Sequence, residues 1–147
     1  MKPLFGLLAA LLTVASCTQD IAVNSASALF PTRPKALIEG FAAACSEPSE
    51  TLRRPDPGTW QCWVDLPADL TAAAIVDHDG TLKALPQLVV QLQVAQTTDG
   101  RYLATLEDYL NVPQASGSAR QIASDGPGAQ EARIGLLRDM GGQIIGE

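Results

Sequence analysis

The chain has 147 residues, 46% of them hydrophobic, and 16 acidic against 10 basic side chains give a formal net charge of −6. That length builds one modest domain and not two. Scarce, scattered Lys and Arg leave no electrostatic footprint for nucleic acid, and an acidic surface is repelled by anionic lipid headgroups, so charge would not hold this protein on a membrane.

The first seventeen residues, MKPLFGLLAALLTVASC, run from one positive charge at Lys2 through an apolar stretch over residues 4–14 to small residues. That is the charged, apolar, small-residue order of a secretory signal peptide. The stretch is too short for a bilayer core, which needs roughly 20 apolar residues. The polar Thr18, Gln19 and Asp20 follow it, with no basic stop-transfer cluster.

Val14-Ala15-Ser16-Cys17 resembles the lipobox of bacterial lipoproteins, an aliphatic residue and two small residues before an invariant Cys. Val14 stands where Leu is commoner. The resemblance is confined to the N-terminus and implies nothing about the domain that follows. It implies that the Cys17 thiol receives a diacylglyceryl group, that residues 1–16 are cleaved off as a signal peptide, and that the new amine is acylated. Membrane lipid is then a partner through Cys17. Two or more acyl chains anchor stably where one binds only marginally, at about 0.8 kcal/mol per buried CH₂. The family's sorting rule reads the residue after the Cys. Thr18 rather than Asp at that position leans towards the outer membrane, periplasmic side, over the inner membrane.

Residues 17–34 are polar, small and Pro-bearing, with Pro31 and Pro34, and read as a flexible tether. Residues 35–147 then form a single small domain. From Lys35 to Cys45 the pattern is helical, with Leu37, Phe41 and Cys45 on one stripe and Ile38 and Ala42 beside it. Residues 46–61 carry Pro48, Pro55, Pro57 and Gly58 and read as a loop. With Cys17 set aside, Cys45 and Cys62 form a natural disulfide pair in an oxidising compartment. Closing that loop is worth about 3 kcal/mol. Two thiols this far apart, with His78 the one histidine, cannot complete a tetrahedral zinc site.

Residues 60–66 read as a strand ending at Pro67. Trp60, Cys62, Val64 and Leu66 face the core, and Gln61, Trp63 and Asp65 the other side. Asp69 is a good N-cap for the Ala-rich run that follows, with Gly80 as a stop; helix is the reading, while Ile75-Val76 keeps a strand open. Residues 87–96 are the clearest strand, alternating Leu88, Val90, Leu92 and Val94 with Val89, Gln91, Gln93 and Ala95. Thr97-Thr98-Asp99-Gly100 turns the chain, and residues 101–110 return as the partner strand. Residues 111–128 are loop-like, either mobile or hiding a short edge strand near residues 120–123. Residues 129–140 form a last amphipathic helix closed by Gly141-Gly142, and the 143–147 tail docks or stays free. The expected class is α+β: a small antiparallel sheet with helices packed on one face, stapled by one disulfide.

Chemistry-bearing motifs fail on inspection. Asp77-His78-Asp79-Gly80 is close to part of a calcium loop, but the first and twelfth positions would be Ile75 and Pro86, which cannot ligate. No Gly-x-Ser-x-Gly elbow or Ser-x-x-Lys occurs. Glu107 and Asp108 point to opposite faces of a strand and cannot share a proton. Trp63 is a candidate partner contact if its face also bears Gln91 and Gln93; its rival role is secondary core beneath a loop or the Asp69 helix. No catalytic residue, metal or cofactor is expected. The expectation is a membrane-anchored, non-enzymatic envelope lipoprotein that binds or scaffolds an envelope protein partner. The alternative is a periplasm-facing small-molecule or peptide-binding module, for which a pocket of roughly 300 Å³ or more would speak. An unrecognised hydrolase comes third.

Overall fold

A computed structural model of the chain describes residues 24–124, 126 and 128–146. The signal peptide over residues 1–16 and the anchor Cys17 lie outside the described residues. Within them the order is β1 (Ser25–Phe30), α1 (Lys35–Ala44), β2 (Glu50–Asp56), β3 (Thr59–Asp65), α2 (Ala68–Asp77), β4 (Gln87–Gln96), β5 (Tyr102–Val112), β6 (Arg120–Ala123), α3 (Ala129–Asp139) and β7 (Gln143–Ile144). The fold is α+β: these three helices and one seven-stranded antiparallel sheet of order β2-β3-β4-β5-β1-β7. β1 pairs with the first half of β5 and β6 with the second half, both antiparallel. The two therefore lie end to end along one edge of β5.

Local chemistry accounts for most of these elements. The β4 alternation pairs with β3 on one side and β5 on the other, with Trp60 opposite Leu92 and Leu92 opposite Leu106. Paired residues in an antiparallel ladder share a face, so these three form one apolar row. Helices α1 and α3 cover it, adding Leu37 and Leu137 to a core that also holds Ala26, Ala28 and Phe30. Each fully buried large apolar side chain contributes about 1.5–3 kcal/mol. The β4–β5 turn closes with Gly100 at φ 86°, a value glycine adopts without strain. Hydrogen bonds from Thr97 and Arg101 hold Asp99 in that turn down to about 2.

α1 ends at Cys45, which is joined to Cys62 of β3 with Cα atoms 5.7 Å apart. The expected disulfide thus pins the C-terminal end of α1 to the sheet. α2 is a helix. Asp69 lies in its first turn and not at the N-cap, where Pro67 stands. After α2, Gly80 sits between Ile75 and Val112 so tightly that a Cβ would lie 3.0 Å from Val112 Cγ1, and it bridges to Gln114. This places the end of α2 at the C-terminal end of β5. α3 ends with the Gly141 N–H donating to Arg138 and the Gly142 N–H to Leu137, the paired bonds of a Schellman stop.

Two expectations are corrected. The tether assigned to residues 17–34 is not a tether over its second half, because Ser25–Phe30 is β1, inside the sheet between β5 and β7. Its Ala26 and Ala28 are small because α3 and Gly142 press on them; a Cβ on Gly142 would come within 2.7 Å of Ala28 Cβ. The loop assigned to residues 46–61 contains β2, which pairs antiparallel with β3 from Glu50 opposite Val64 to Arg53 opposite Gln61, and again at Asp56 opposite Thr59 after an irregularity. β2 is an outer strand, exposed along nearly its whole length. Arg53, Arg54 and Pro55 are the charges and proline that blunt a free edge, and they gave the segment its loop-like composition. The 111–128 stretch does hide a short strand, β6, while β5 runs on to Val112. The C-terminal tail docks as β7 on β1, with Ala28 opposite Ile144.

Candidate functional site

The helix-covered face is not filled to its edge. α1 and α3 stand apart over the β3–β4–β5 floor, leaving an apolar groove of about 380 Å³. Leu37 and Phe41 of α1 form one wall, and Leu136 of α3 with Met140 just beyond it the other; Cys62, Val90 and Leu106 make the floor. Gly40 lies on the α1 side, and a Cβ built there meets nothing within 4 Å. Glu50 is the one charged residue lining the groove among the described residues, and its carboxylate accepts the Glu47 N–H at 3.0 Å. The disulfide forms part of the wall, since Cys45 and Cys62 both line it. Such a surface offers apolar contact and little hydrogen bonding, so it suits an aliphatic or aromatic ligand body. An apolar cavity of about 150 Å³ already accepts benzene.

At one end of this face Arg133 of α3 reaches Asp108 of β5, Nη1 donating to Oδ1, while Nη2 donates to Gln130 at 3.2 Å. Arg133 is buried, and its Nε has no hydrogen-bond partner among the described residues. Asp108 is the register partner of Val90 on the groove floor. Glu107, one residue before, lies on the opposite face of β5, as alternation requires.

The opposite face, turned away from α1 and α3, carries Trp63. It shares that face with Gln61 and Gln91, which pair across β3 and β4. Trp63 is half-buried. The Arg53 guanidinium of β2 lies 4.1 Å from its ring centroid, and its Nε1 donates to Gln61 Oε1 at 3.0 Å. A chain of amides continues from there: Gln61 Nε2 donates to Gln91 Oε1, and Gln91 Nε2 to Glu107 Oε1, both at 2.5 Å. Burial pushes the Glu107 carboxyl above the usual glutamate range, and the Gln91 hydrogen bond offsets part of that rise. Burial also pushes the Tyr109 phenol up, and the Glu107 carboxylate adds to the effect.

A raised carboxyl pKa means that the folded state holds this proton more tightly than the unfolded chain. Glu107 therefore favours the fold below the ordinary glutamate range, and that contribution is lost as pH rises through its raised value. Glu107→Gln keeps an acceptor for Gln91 and removes the charge. It is expected to raise the melting temperature at neutral pH and to flatten the decline from acid to neutral; a lowered melting temperature at pH 7 would contradict the assignment.

His78 caps the C-terminus of α2, half-buried, with its carbonyl accepting from Gln114 Nε2 at 3.2 Å. It lines neither the groove nor the smaller cavity beside β1 and β7. Among the described residues the one cluster with metal-ligand spacing is Cys45, Glu50 and Cys62. Both thiols there are spent in the disulfide, leaving a single carboxylate, so the cluster does not fit a metal. No described helix is long and apolar enough to cross a membrane. The groove went unread in the sequence, although the exposed apolar Leu136 and Met140 beside Gly40 on a facing helix were its available signal. Comparison with protein-family models, curated proteins and solved structures gives no match.

Proposed function

We propose that this protein is a lipid-anchored, non-enzymatic binding protein of the cell envelope, held through Cys17 on a membrane, the outer membrane favoured. Its domain takes a small apolar ligand of the alkyl-chain class into the groove between α1 and α3. The observation that carries this reading is the groove itself: about 380 Å³, within the range of roughly 300–1,000 Å³ typical of ligand pockets, and lined almost wholly by apolar side chains. The lipobox likeness supports the anchor.

The test uses the fluorescent probe N-phenyl-1-naphthylamine with decanoate as competitor. Wild type is expected to bind the probe saturably and to release it to decanoate. Gly40→Phe, which puts a ring into open space on the α1 wall, and Met140→Asp, which charges the far wall, are each expected to abolish binding while leaving the melting temperature near that of wild type. Absence of saturable binding by wild type would remove the ligand-binding reading.

A second reading, docking of an envelope protein, is favoured by Trp63 stacked with Arg53 on the face away from α1 and α3. Trp and Arg are the side chains most enriched at interface hot spots. Under it, Trp63→Ala loses a cross-linked partner that Gly40→Phe retains; equal capture by both variants would dismiss it.

A further inference from the structure

The groove leaves unexplained a second apolar surface at the α2 end of the domain. Leu82, Val76 and Leu85 are 83%, 77% and 58% exposed. Leu82 and Leu85 belong to the loop after α2, and with Leu66, Ala72 and Ile75 they border an open apolar cleft of about 390 Å³. A loop that turns its leucines outward beside a helix doing the same gains nothing in water, and such patches mark contact surfaces.

The path of the chain says what the patch would meet. The described chain begins at Asn24, whose Nδ2 donates to the Ser124 carbonyl at 3.3 Å. The Ser124 N–H in turn donates to the Asp108 carbonyl of β5 at 3.4 Å. From Asp108, β5 runs towards Val112, against which Gly80 is packed. That is a distance on the order of 13 Å at about 3.3 Å per residue. Cys17 precedes Asn24 by seven residues, a reach of at most about 25 Å. An acylated Cys17 therefore keeps this end of the domain within one short chain length of the bilayer, which becomes the apolar phase the patch meets at the highest effective concentration.

We propose that the surface formed by Leu82 and Leu85 with Ala72 and Ile75 of α2 is a second membrane contact, which lays the α2 end of the domain against the bilayer to which Cys17 is anchored. This rests on the lipoprotein reading of Cys17. Asp77 and Asp79 flank the patch, with Lys83 the one basic residue in the loop. Attraction to anionic headgroups is thus weak, and the contact works by apolar side chains and needs the anchor. A bilayer suits an outward-turned loop tip of leucines better than a peptide does, since the loop offers no strand edge to pair with.

The test uses the full chain, processed in a bacterium and reconstituted into vesicles of phosphatidylethanolamine with a minor share of phosphatidylglycerol. An environment-sensitive fluorophore is placed through Leu82→Cys or, at the opposite end of the sheet in the β4–β5 turn, through Thr98→Cys. Lipid on Cys17 is read by mass spectrometry of the same samples. Blue-shifted emission at position 82, quenched by a bilayer-buried nitroxide lipid, with neither effect at 98, is the expected result. Leu85→Asp is expected to abolish both effects at 82 while the protein stays on the vesicles, and Cys17→Ala to leave the protein in solution. A lipidated chain with position 82 as wet as 98 overturns the contact alone. An unlipidated Cys17 overturns the lipoprotein reading, and the contact falls with it. Burial of position 82 only when an envelope protein extract is added assigns the patch to a protein and overturns the membrane contact.

Discussion

Asp108→Ala is expected to cost the fold about 3–5 kcal/mol, because removing one partner of a buried ion pair strands the other. Arg133 is buried, its Nη1 donates to Asp108, and its Nε is already without a partner among the described residues. Without Asp108, the partner left to the guanidinium among the described residues is the Gln130 amide oxygen, and an amide does not neutralise a charge. For a domain whose whole stability is about 5–15 kcal/mol, that loss is a large fraction. Urea unfolding at constant m value measures it. The double variant Asp108→Leu/Arg133→Met removes both charges at once and is expected to recover most of the loss, since apolar replacement of buried pairs is often neutral or stabilising. If Asp108→Ala costs less than about 1 kcal/mol, the pair behaves as a surface ion pair, and the guanidinium has a route to water.

Removing the disulfide by Cys45→Ala/Cys62→Ala is the second large effect, a loss of about 3 kcal/mol on the loop-entropy estimate. That corresponds to roughly 10 °C in melting temperature for a domain of this size. The consequence is local as well as global. Leu37 is the one buried residue of α1, near its N-terminal end, and the Cys45–Cys62 bridge holds the other end to β3. Without the bridge the C-terminal half of α1 is expected to open, and the groove loses the wall made by Phe41 and Ala44. Probe binding should therefore fall before the sheet melts, as followed by circular dichroism over a temperature ramp. Coincident loss of binding and of sheet signal would show that α1 stays docked on its own contacts.

Much of the fold was legible locally. The Leu37–Phe41–Cys45 stripe, the alternation in β3 and β4, the Asp99-Gly100 turn and the paired glycines after α3 each follow from the period or dihedral preference of a few adjacent residues. The same alternation set Trp63 on one face with Gln61 and Asp65, and the cysteine arithmetic paired Cys45 with Cys62; that Gln91 shares the Trp63 face follows from the β3–β4 register. The likeness of residues 14–17 to a lipobox is likewise a property of sequence, and lies outside the described residues.

What local reading could not supply depends on partners distant in the chain. β1 is written in Ser, Ala and Leu with a single Phe, and its identity as a strand comes from pairing with β5 across Ser25 opposite Glu107 and from α3 pressing on its alanines. β2 is a strand because β3 lies beside it; its charges and Pro55 guard an edge, and edge protection and loop composition use the same residues. The Arg133–Asp108 pair and the groove exist only because α1 and α3, far apart in the chain, are set down on the same face of the sheet. Periodicity states which side of an element is apolar. Only the packed structure decides which two apolar sides meet fully and which stand apart and leave room.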